Sequence, residues 1–97
     1  MTRIELAPEV SEDIERILDH LHQHEVQHST ARLHEIIAAI GVLETNPLIG
    51  RAASNDKREL VIGQGAQGYV ALYRYVASLD IVFVLAMRGQ RESGFVR

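Results

Sequence analysis

The stretch GQGAQG, residues 63–68, has the glycine spacing of a dinucleotide-binding loop. In such a site the loop follows a strand and opens a helix, whose N-terminus faces the pyrophosphate. The preceding RELVI is typical of a strand, but the following YVALYRYV is rich in aromatic and β-branched residues and lacks a helical period. The pattern therefore favours a glycine-rich connection between two strands, because glycine adopts positive φ at little steric cost.

A second set of polar side chains has the chemistry to bind or cleave a phosphate-containing partner. RNA cleavage needs a base for the 2′-hydroxyl, an acid for the leaving oxygen and cations for the phosphate. Candidate groups of these types lie in the second half of the chain: Arg58, Tyr73, Arg74, Arg88, Arg91 and Glu92. Arg88 and Arg91 follow the last apolar run, and the rigid guanidinium fork suits a carboxylate or a phosphate. The alternatives are solvated arginines and, for Arg74, a cross-strand pair.

Histidines and tyrosines offer two weaker patterns. His20, His24 and His28 recur every four residues, and histidines at that spacing can share zinc. No further ligand is evident, so a solvent-facing edge is favoured and no metal site is predicted. Tyr69 and Tyr75 share one strand face with Tyr73, which favours packing over a base-stacking platform.

The elements that position these groups follow from hydrophobic periodicity. RIEL, residues 3–6, predicts a first strand, and a helix begins at Pro8 and ends near residue 24 or 25. A second helix covers about residues 29–43, and three strands cover residues 58–62, 69–76 and 81–87. The two predicted apolar stripes are Val10, Ile14, Ile17, Leu18 and Leu21, then Leu33, Ile36, Ile37, Ile40 and Leu43. The order β-α-α-β-β-β predicts an α+β fold, with a helical hairpin on one face of a mainly antiparallel sheet.

Composition narrows the class of protein. Residues 1–97 suffice for a single domain, and the absence of cysteine excludes disulfides and is compatible with the cytoplasm. The longest apolar run, IVFVLAM, has seven residues and is too short to span a membrane, and no secretory signal is evident. The first 50 residues carry a net charge of −6 and the remainder +3. This asymmetry points either to an acidic or nucleic-acid partner or to chance clustering on a solvated surface.

Several motifs together resemble the RelE/ParE superfamily of toxins from type II toxin–antitoxin systems. They are NPLIGR, RELVIG, GYVALYRY and DIVFVLAMRGQRESGF, and the similarity covers about residues 4–95. The closest branch is ParE, whose members are often called plasmid stabilisation proteins. The resemblance implies a small α/β fold of the order given above, a cytoplasmic protein without membrane or cofactor, and a cognate antitoxin whose tail wraps and silences the toxin.

The two branches of that superfamily imply different functions. ParE-type members are associated with inhibition of DNA gyrase and perform no chemistry, whereas RelE-type members cut messenger RNA on the ribosome. RelE-type cutters carry Arg where this chain has Val70 and Tyr near Phe95, and many relatives carry His where it has Gly89. These departures favour a ParE-like toxin that binds DNA gyrase. The alternatives are a RelE-like endoribonuclease acting on ribosome-bound mRNA, and a degenerate member that binds only its antitoxin.

Overall fold

The computed structural model describes residues 1–23, 29–63, 65, 68–92, 94 and 95. The fold class of this part of the chain is α+β, as predicted. The elements are β1 Arg3–Leu6, α1 Pro8–Gln23, α2 Ser29–Gly41, a 3₁₀ turn Val42–Glu44, β2 Arg51–Ala52, β3 Arg58–Ile62, β4 Tyr69–Val76 and β5 Ile81–Gly89. The predicted bounds of β1, β3 and β4 are confirmed. Two-residue β2 was not predicted, α2 gives way to the 3₁₀ turn after Gly41, and β5 continues two residues past Met87. The predicted end of the first helix lies outside the described residues.

The five strands form one sheet in the order β1-β5-β4-β3-β2. Only β1 runs parallel to its neighbour, β5, and the other three pairings are antiparallel. The short link between β4 and β5 therefore closes an antiparallel hairpin, as its length predicts. The expectation of a mainly antiparallel sheet is confirmed.

Both helices cover the same face of the sheet. Val10 and Ile17 of α1 and Ile36 and Ile40 of α2 share one buried cluster with alternate residues of the strands. The strand residues of that cluster are Ile62, Tyr69, Ala71, Tyr73, Val82, Val84 and Met87. Burying an aliphatic or aromatic side chain of this size stabilises the fold by about 1.5–3 kcal/mol. The favoured packing role of the tyrosines holds for Tyr69 and Tyr73.

One member of the predicted α2 stripe was placed wrongly. Ile37 is 57% exposed, whereas Ile36 and Ile40 are buried and Leu33 is half-buried. Residues three and four apart share a helix face, and Ile37 lies about 100° further round the helix than Ile36. The part of α2 that packs on the core runs through Ile36 and Ile40, with Ala39 partly buried beside them.

A β-bulge in β5 decides which way Arg88 points. Leu72 pairs with Ala86 while Tyr73 pairs with Val84, so Leu85 is the extra residue. Side chains alternate between faces along a strand, and one extra residue reverses the alternation beyond it. Met87 therefore faces the helices, and Arg88, opposite Val70, lies on the open face of the sheet. Without the bulge, Arg88 would be directed into the core.

The glycine-rich segment of residues 63–68 joins two antiparallel strands. β3 ends at Ile62 opposite Tyr69, where β4 begins, and no helix follows Gly68. Gly63 and Gly65 have φ of 76° and 60°, a region that glycine adopts readily. The predicted strand-to-strand connection is confirmed for the residues of this segment that the structure describes.

Candidate functional site

The six predicted site residues lie at opposite ends of the sheet. Arg58 pairs with Tyr73 where β3 begins, and Arg74 follows on β4. Arg88 pairs with Val70 at the other end of β4, and the chain continues from there to Arg91 and Glu92. Val70 and Arg74 are four residues apart, or about 13 Å along a strand. Two separate groups of polar residues therefore result: the arginine turn, residues 88–92, and the hairpin end, where β2, β3 and β4 meet.

In the arginine turn, Arg88 is held against the open face of the sheet. Its Nη1 donates hydrogen bonds to the carbonyl oxygens of Gly89, at 3.2 Å, and Glu92, at 3.3 Å. Its guanidinium carbon lies 5.1 Å from the centre of the Phe95 ring, within the range of a cation–π contact. Arg88 Nε is a buried nitrogen without a hydrogen-bond partner among the described residues. Arg88 is therefore partly buried, whereas Arg91 is exposed.

Glu92 closes the arginine turn onto helix α1. Its carboxylate accepts hydrogen bonds from the Gly89 N–H at 2.7 Å and from Arg16 at 2.9 and 3.0 Å. Burial alone raises the pKa of Glu92, but the hydrogen bonds from Arg16 and Gly89 outweigh it and hold the pKa below the ordinary value of 4.5. The hydrogen bond to Glu92 is also the main cause of a raised pKa at Arg16. Both groups are ionised at neutral pH.

Side chains of α1 form hydrogen bonds with the β5 backbone beyond the point where β1 ends. β1 pairs with β5 only as far as Leu6 opposite Val84, so no strand of the described residues lies beside the β5 backbone beyond that point on this side. Asp13 Oδ2 accepts a hydrogen bond from the Met87 N–H at 2.9 Å, and Arg16 Nη2 donates to the Met87 carbonyl at 3.2 Å. Arg16 also pairs with Asp13 at 2.9 Å. The ion pairs thus satisfy backbone groups that would otherwise be buried without partners.

Sequence reasoning did not identify Asp13 or Arg16 as residues of the candidate site. Asp13 lies near the start of α1, where a negative charge is favoured, yet its side chain is 1% exposed. It lies three residues after Val10 and four before Ile17, so it occupies the apolar stripe of α1. An acid at such a position has to be paired when buried, and the cation at i+3 was the available signal.

At the hairpin end, Tyr73 is a core residue that supports the loop of residues 47–51, here called the Gly50 loop. Its hydroxyl accepts a hydrogen bond from the Gly50 N–H at 2.8 Å, and its side chain is fully buried. Burial raises the pKa of Tyr73, with the hydrogen bond from Gly50 opposing it, so the phenol is neutral at pH 7. Tyr73 contributes to the outer surface through the loop it supports, since none of its own surface is exposed.

Arg58 fixes the same loop from its other side. Its Nη1 donates to the carbonyl oxygens of Gly50 at 2.8 Å and Leu48 at 3.2 Å. A Cβ atom on Gly50 would lie 2.7 Å from two atoms of the Tyr73 ring and hydroxyl and 2.9 Å from the Glu59 carbonyl oxygen. Only glycine therefore allows the loop to approach the sheet this closely.

Arg74 lies on the open face of the sheet, as its alternation with Tyr73 predicts. Its Nη2 donates to the carbonyl oxygen of Asn55 at 3.0 Å, in the turn between β2 and β3. Asn55 and Asp56 have φ of 59° and 58°, the left-handed pair found in tight two-strand turns. Among the described residues, Arg74 is thus neither in a cross-strand ion pair nor free of contacts. It borders a groove of about 530 Å³, whose wall also includes Leu48 and Lys57.

The predicted arginines differ in their partners from Arg3, Arg16 and Arg51. Those three arginines form ion pairs with carboxylates. Arg58, Arg74 and Arg88 instead donate to backbone carbonyls, and Arg91 makes no hydrogen bond or ion pair with any residue that the structure describes. No carboxylate within the described part of the chain neutralises these four positive charges.

The metal hypothesis has no support within the described residues. His24 and His28 lie outside them, and His20 is exposed on α1. Across residues 1–23, 29–63, 65, 68–92, 94 and 95, no three His, Cys, Asp or Glu side chains are grouped closely enough to hold a metal ion. Within the same residues, no helix has the length and apolar character needed to cross a membrane.

Comparison with known proteins assigns the family. The family model described as the ParE toxin of the type II toxin–antitoxin system parDE matches residues 4–94, nearly the whole chain. The chain belongs to the ParE toxin family. A search of curated proteins found no match. The resemblance inferred from the sequence motifs is therefore confirmed, and the protein is a toxin of a type II toxin–antitoxin system, a class that implies an antitoxin partner.

Proposed function

We propose that this ParE-family toxin stops growth by binding DNA gyrase in the cytoplasm and that a cognate antitoxin keeps it inactive. The observation that carries the proposal is the arginine turn. Arg91 is exposed and has no carboxylate partner among the described residues, while Glu92 next to it is held by Arg16 and Gly89. A cation presented on a fixed backbone loses little entropy on binding an anionic group. Gyrase as the target rests on the resemblance to the ParE branch.

Binding is favoured over RNA cleavage by the positions that differ from RelE-type cutters. Val70 is apolar and fully buried, Phe95 has no hydroxyl, and Gly89 has no side chain that could transfer a proton. The remaining acid–base candidates are already engaged, Tyr73 by Gly50 and Glu92 by Arg16. They also lie in the two separate groups, so a base, an acid and a cation do not converge on one phosphate within the described residues.

Pulse labelling after induced expression tests the mode of action. We expect DNA synthesis to stop first while protein synthesis continues, and purified toxin to inhibit supercoiling by gyrase. Immediate loss of protein synthesis, with new mRNA 5′ ends, would instead establish the endoribonuclease. An Arg91→Ala variant at equal expression is the matched control, because it removes one exposed cation.

The pairing with an antitoxin has its own test. Co-expression with the product of the adjacent reading frame should give a stable complex and restore growth. If folded toxin does not associate with that product, the assignment of a neighbouring antitoxin is wrong. A toxin that neither arrests growth nor inhibits gyrase but forms the complex would be the degenerate member.

A further inference from the structure

We propose that the groove at the hairpin end is a second docking surface, which binds an extended acidic segment of a protein partner. The groove, of about 530 Å³, is lined by Leu48, Ala52, Lys57, Arg58, Arg74 and Val76 among others. It lies about 13 Å along the sheet from the arginine turn. It is therefore a surface separate from the one proposed to contact gyrase.

The charge of the groove selects the partner's chemistry. Lys57, Arg58 and Arg74 line it, against a single acid, Asp56. Arg58 and Arg74 bond only to backbone carbonyls among the described residues, and neither forms an ion pair with a carboxylate of that part of the chain. Carboxylates on a partner would complete these cations as charge-assisted pairs.

The groove also has an apolar wall that the fold holds rigidly. Leu48 is 58% exposed, yet its carbonyl oxygen is bonded by Arg58. The neighbouring Gly50 is fixed through its N–H by Tyr73 and through its carbonyl by Arg58. An exposed aliphatic side chain on a fixed backbone can be buried by a partner with little loss of backbone entropy. The hydrogen bonds of the loop thus present Leu48 to a partner instead of burying it.

An extended segment fits the edge of the sheet at this point. β2 is the last strand in the order β1-β5-β4-β3-β2, and no strand of the described residues lies beyond it. The Ala53 N–H bonds to Lys57 within the hairpin, so the alternate residue, Ala52, directs its backbone groups to the outer side. A peptide added along this edge would place alternate side chains toward the groove.

A protein segment suits the groove better than a nucleic acid. Leu48, Ala52 and Val76 form an apolar wall that can contact apolar side chains of a peptide but offers no polar group to a phosphate backbone. In a toxin–antitoxin pair the natural source of an acidic segment is the antitoxin. This last step rests on the proposed function, whereas the binding of an acidic peptide to the groove does not.

The test uses a fluorescein-labelled 12-residue peptide of alternating Glu and Leu, titrated against the whole chain by fluorescence anisotropy. We expect saturable binding, with amide shifts in the NMR spectrum centred on Ala52, Lys57 and Val76. A peptide with Lys in place of Glu should not bind. No saturable binding of the acidic peptide, amide shifts centred on residues 88–92, or tighter binding of a single-stranded 12-nucleotide DNA would each overturn the proposal.

Matched substitutions separate charge from apolar contact. Arg74→Glu should weaken peptide binding about tenfold or more, while Arg3→Glu, with the same change of net charge at the far edge of the sheet, should not. Leu48→Ser should weaken it severalfold, and Ile37→Ser, equally exposed on α2, should leave it unchanged. Equal losses from both members of a pair would show nonspecific adsorption and overturn the proposal. A groove that binds the peptide in a chain that does not inhibit gyrase would leave this inference standing and remove only the proposed function.

Discussion

At the C-terminal end of β5, here called the β5 end, the carboxylates of Asp13 and Glu92 and the guanidinium of Arg16 hold the backbone in place. At the hairpin end, a neutral phenol and a guanidinium hold the Gly50 loop through backbone N–H and carbonyl groups. In the first case charges neutralise one another, as between Asp13, Arg16 and Glu92. In the second, the charge of Arg58 stays uncompensated by any described carboxylate.

This difference has consequences for what each end tolerates. Removing one member of a partly buried charge network takes away a compensating charge, which lowers the free energy of unfolding. Removing space under a backbone loop is costly for a steric reason and does not depend on pH. The β5 end should therefore be sensitive to single charge changes and to acid, and the Gly50 loop to added volume.

Arg16→Met is expected to have the largest effect on stability. It removes the Arg16 guanidinium from the buried Asp13 carboxylate, which is 1% exposed, and breaking a buried pair in this way costs about 3–5 kcal/mol. Arg16 is itself one-third exposed, so we expect the lower end of that range, about 3 kcal/mol. Urea unfolding followed by circular dichroism measures it. Arg3→Met, which breaks the exposed pair with Glu5, should change stability by less than about 1 kcal/mol. Equal effects of the two variants would contradict the network.

Gly50→Ala should come next, at about 2 kcal/mol, because the new Cβ would overlap Tyr73 and the Glu59 carbonyl. Gly41→Ala is the matched control. Gly41 has helical φ and ψ of −58° and −28°, and its Cβ would meet nothing closer than 4.0 Å, so alanine should be neutral or slightly stabilising. Thermal melting of both variants distinguishes overlap at residue 50 from a general effect of removing glycine. If Gly50→Ala melts like the parent chain, the close approach does not determine the loop.

Some features of the fold and of the candidate site could be predicted from the sequence, and others could not. The bounds of β1, β3 and β4 followed from period and turn residues, since those signals are local. The sheet face of Tyr73 and Arg74 followed from alternation. The bulge at Leu85 did not, because it depends on how β4 and β5 pair, and it reverses the face of Arg88. The pairing of Asp13 with a β5 amide joins residues 74 positions apart and could not be derived from local pattern.

Acid should weaken the β5 end through Glu92. Its folded pKa lies below 4.5, so its contribution is fully present above about pH 4.5 and is lost as pH falls through the folded pKa. Glu92→Gln should therefore cost about 1 kcal/mol at pH 7, after allowance for its exposure, and should reduce the loss of stability below pH 4.5. Unfolding measured from pH 3 to pH 7 checks both statements.

Asp80 provides the control for this pH dependence. Hydrogen bonds from Thr2 and Tyr75 hold its pKa below the ordinary value of 3.8, so its contribution also disappears in acid. Asp80→Asn should reduce the acid sensitivity without changing the part that depends on Glu92. If only Asp80→Asn alters the profile, the Arg16–Glu92 pair is not coupled to folding.

Arg91→Ala should have the smallest effect on stability and, under the proposed function, a large effect on toxicity. Arg91 is exposed and makes no ion pair with the described residues, so the change should lie within about 0.5 kcal/mol. Loss of one charge-assisted contact at a target corresponds to about a tenfold to hundredfold drop in affinity. A double variant that adds Arg88→Ala separates toxicity from stability less well than Arg91→Ala alone. Arg88 is partly buried against Phe95 and bonded to two carbonyls, so its removal should also lower the melting temperature measurably. Melting curves and a growth assay at matched expression should therefore show a single Arg91 variant that folds like the parent chain and no longer arrests growth. If that variant still arrests growth as strongly as the parent chain, Arg91 is an ordinary surface residue, and the toxic contact lies elsewhere.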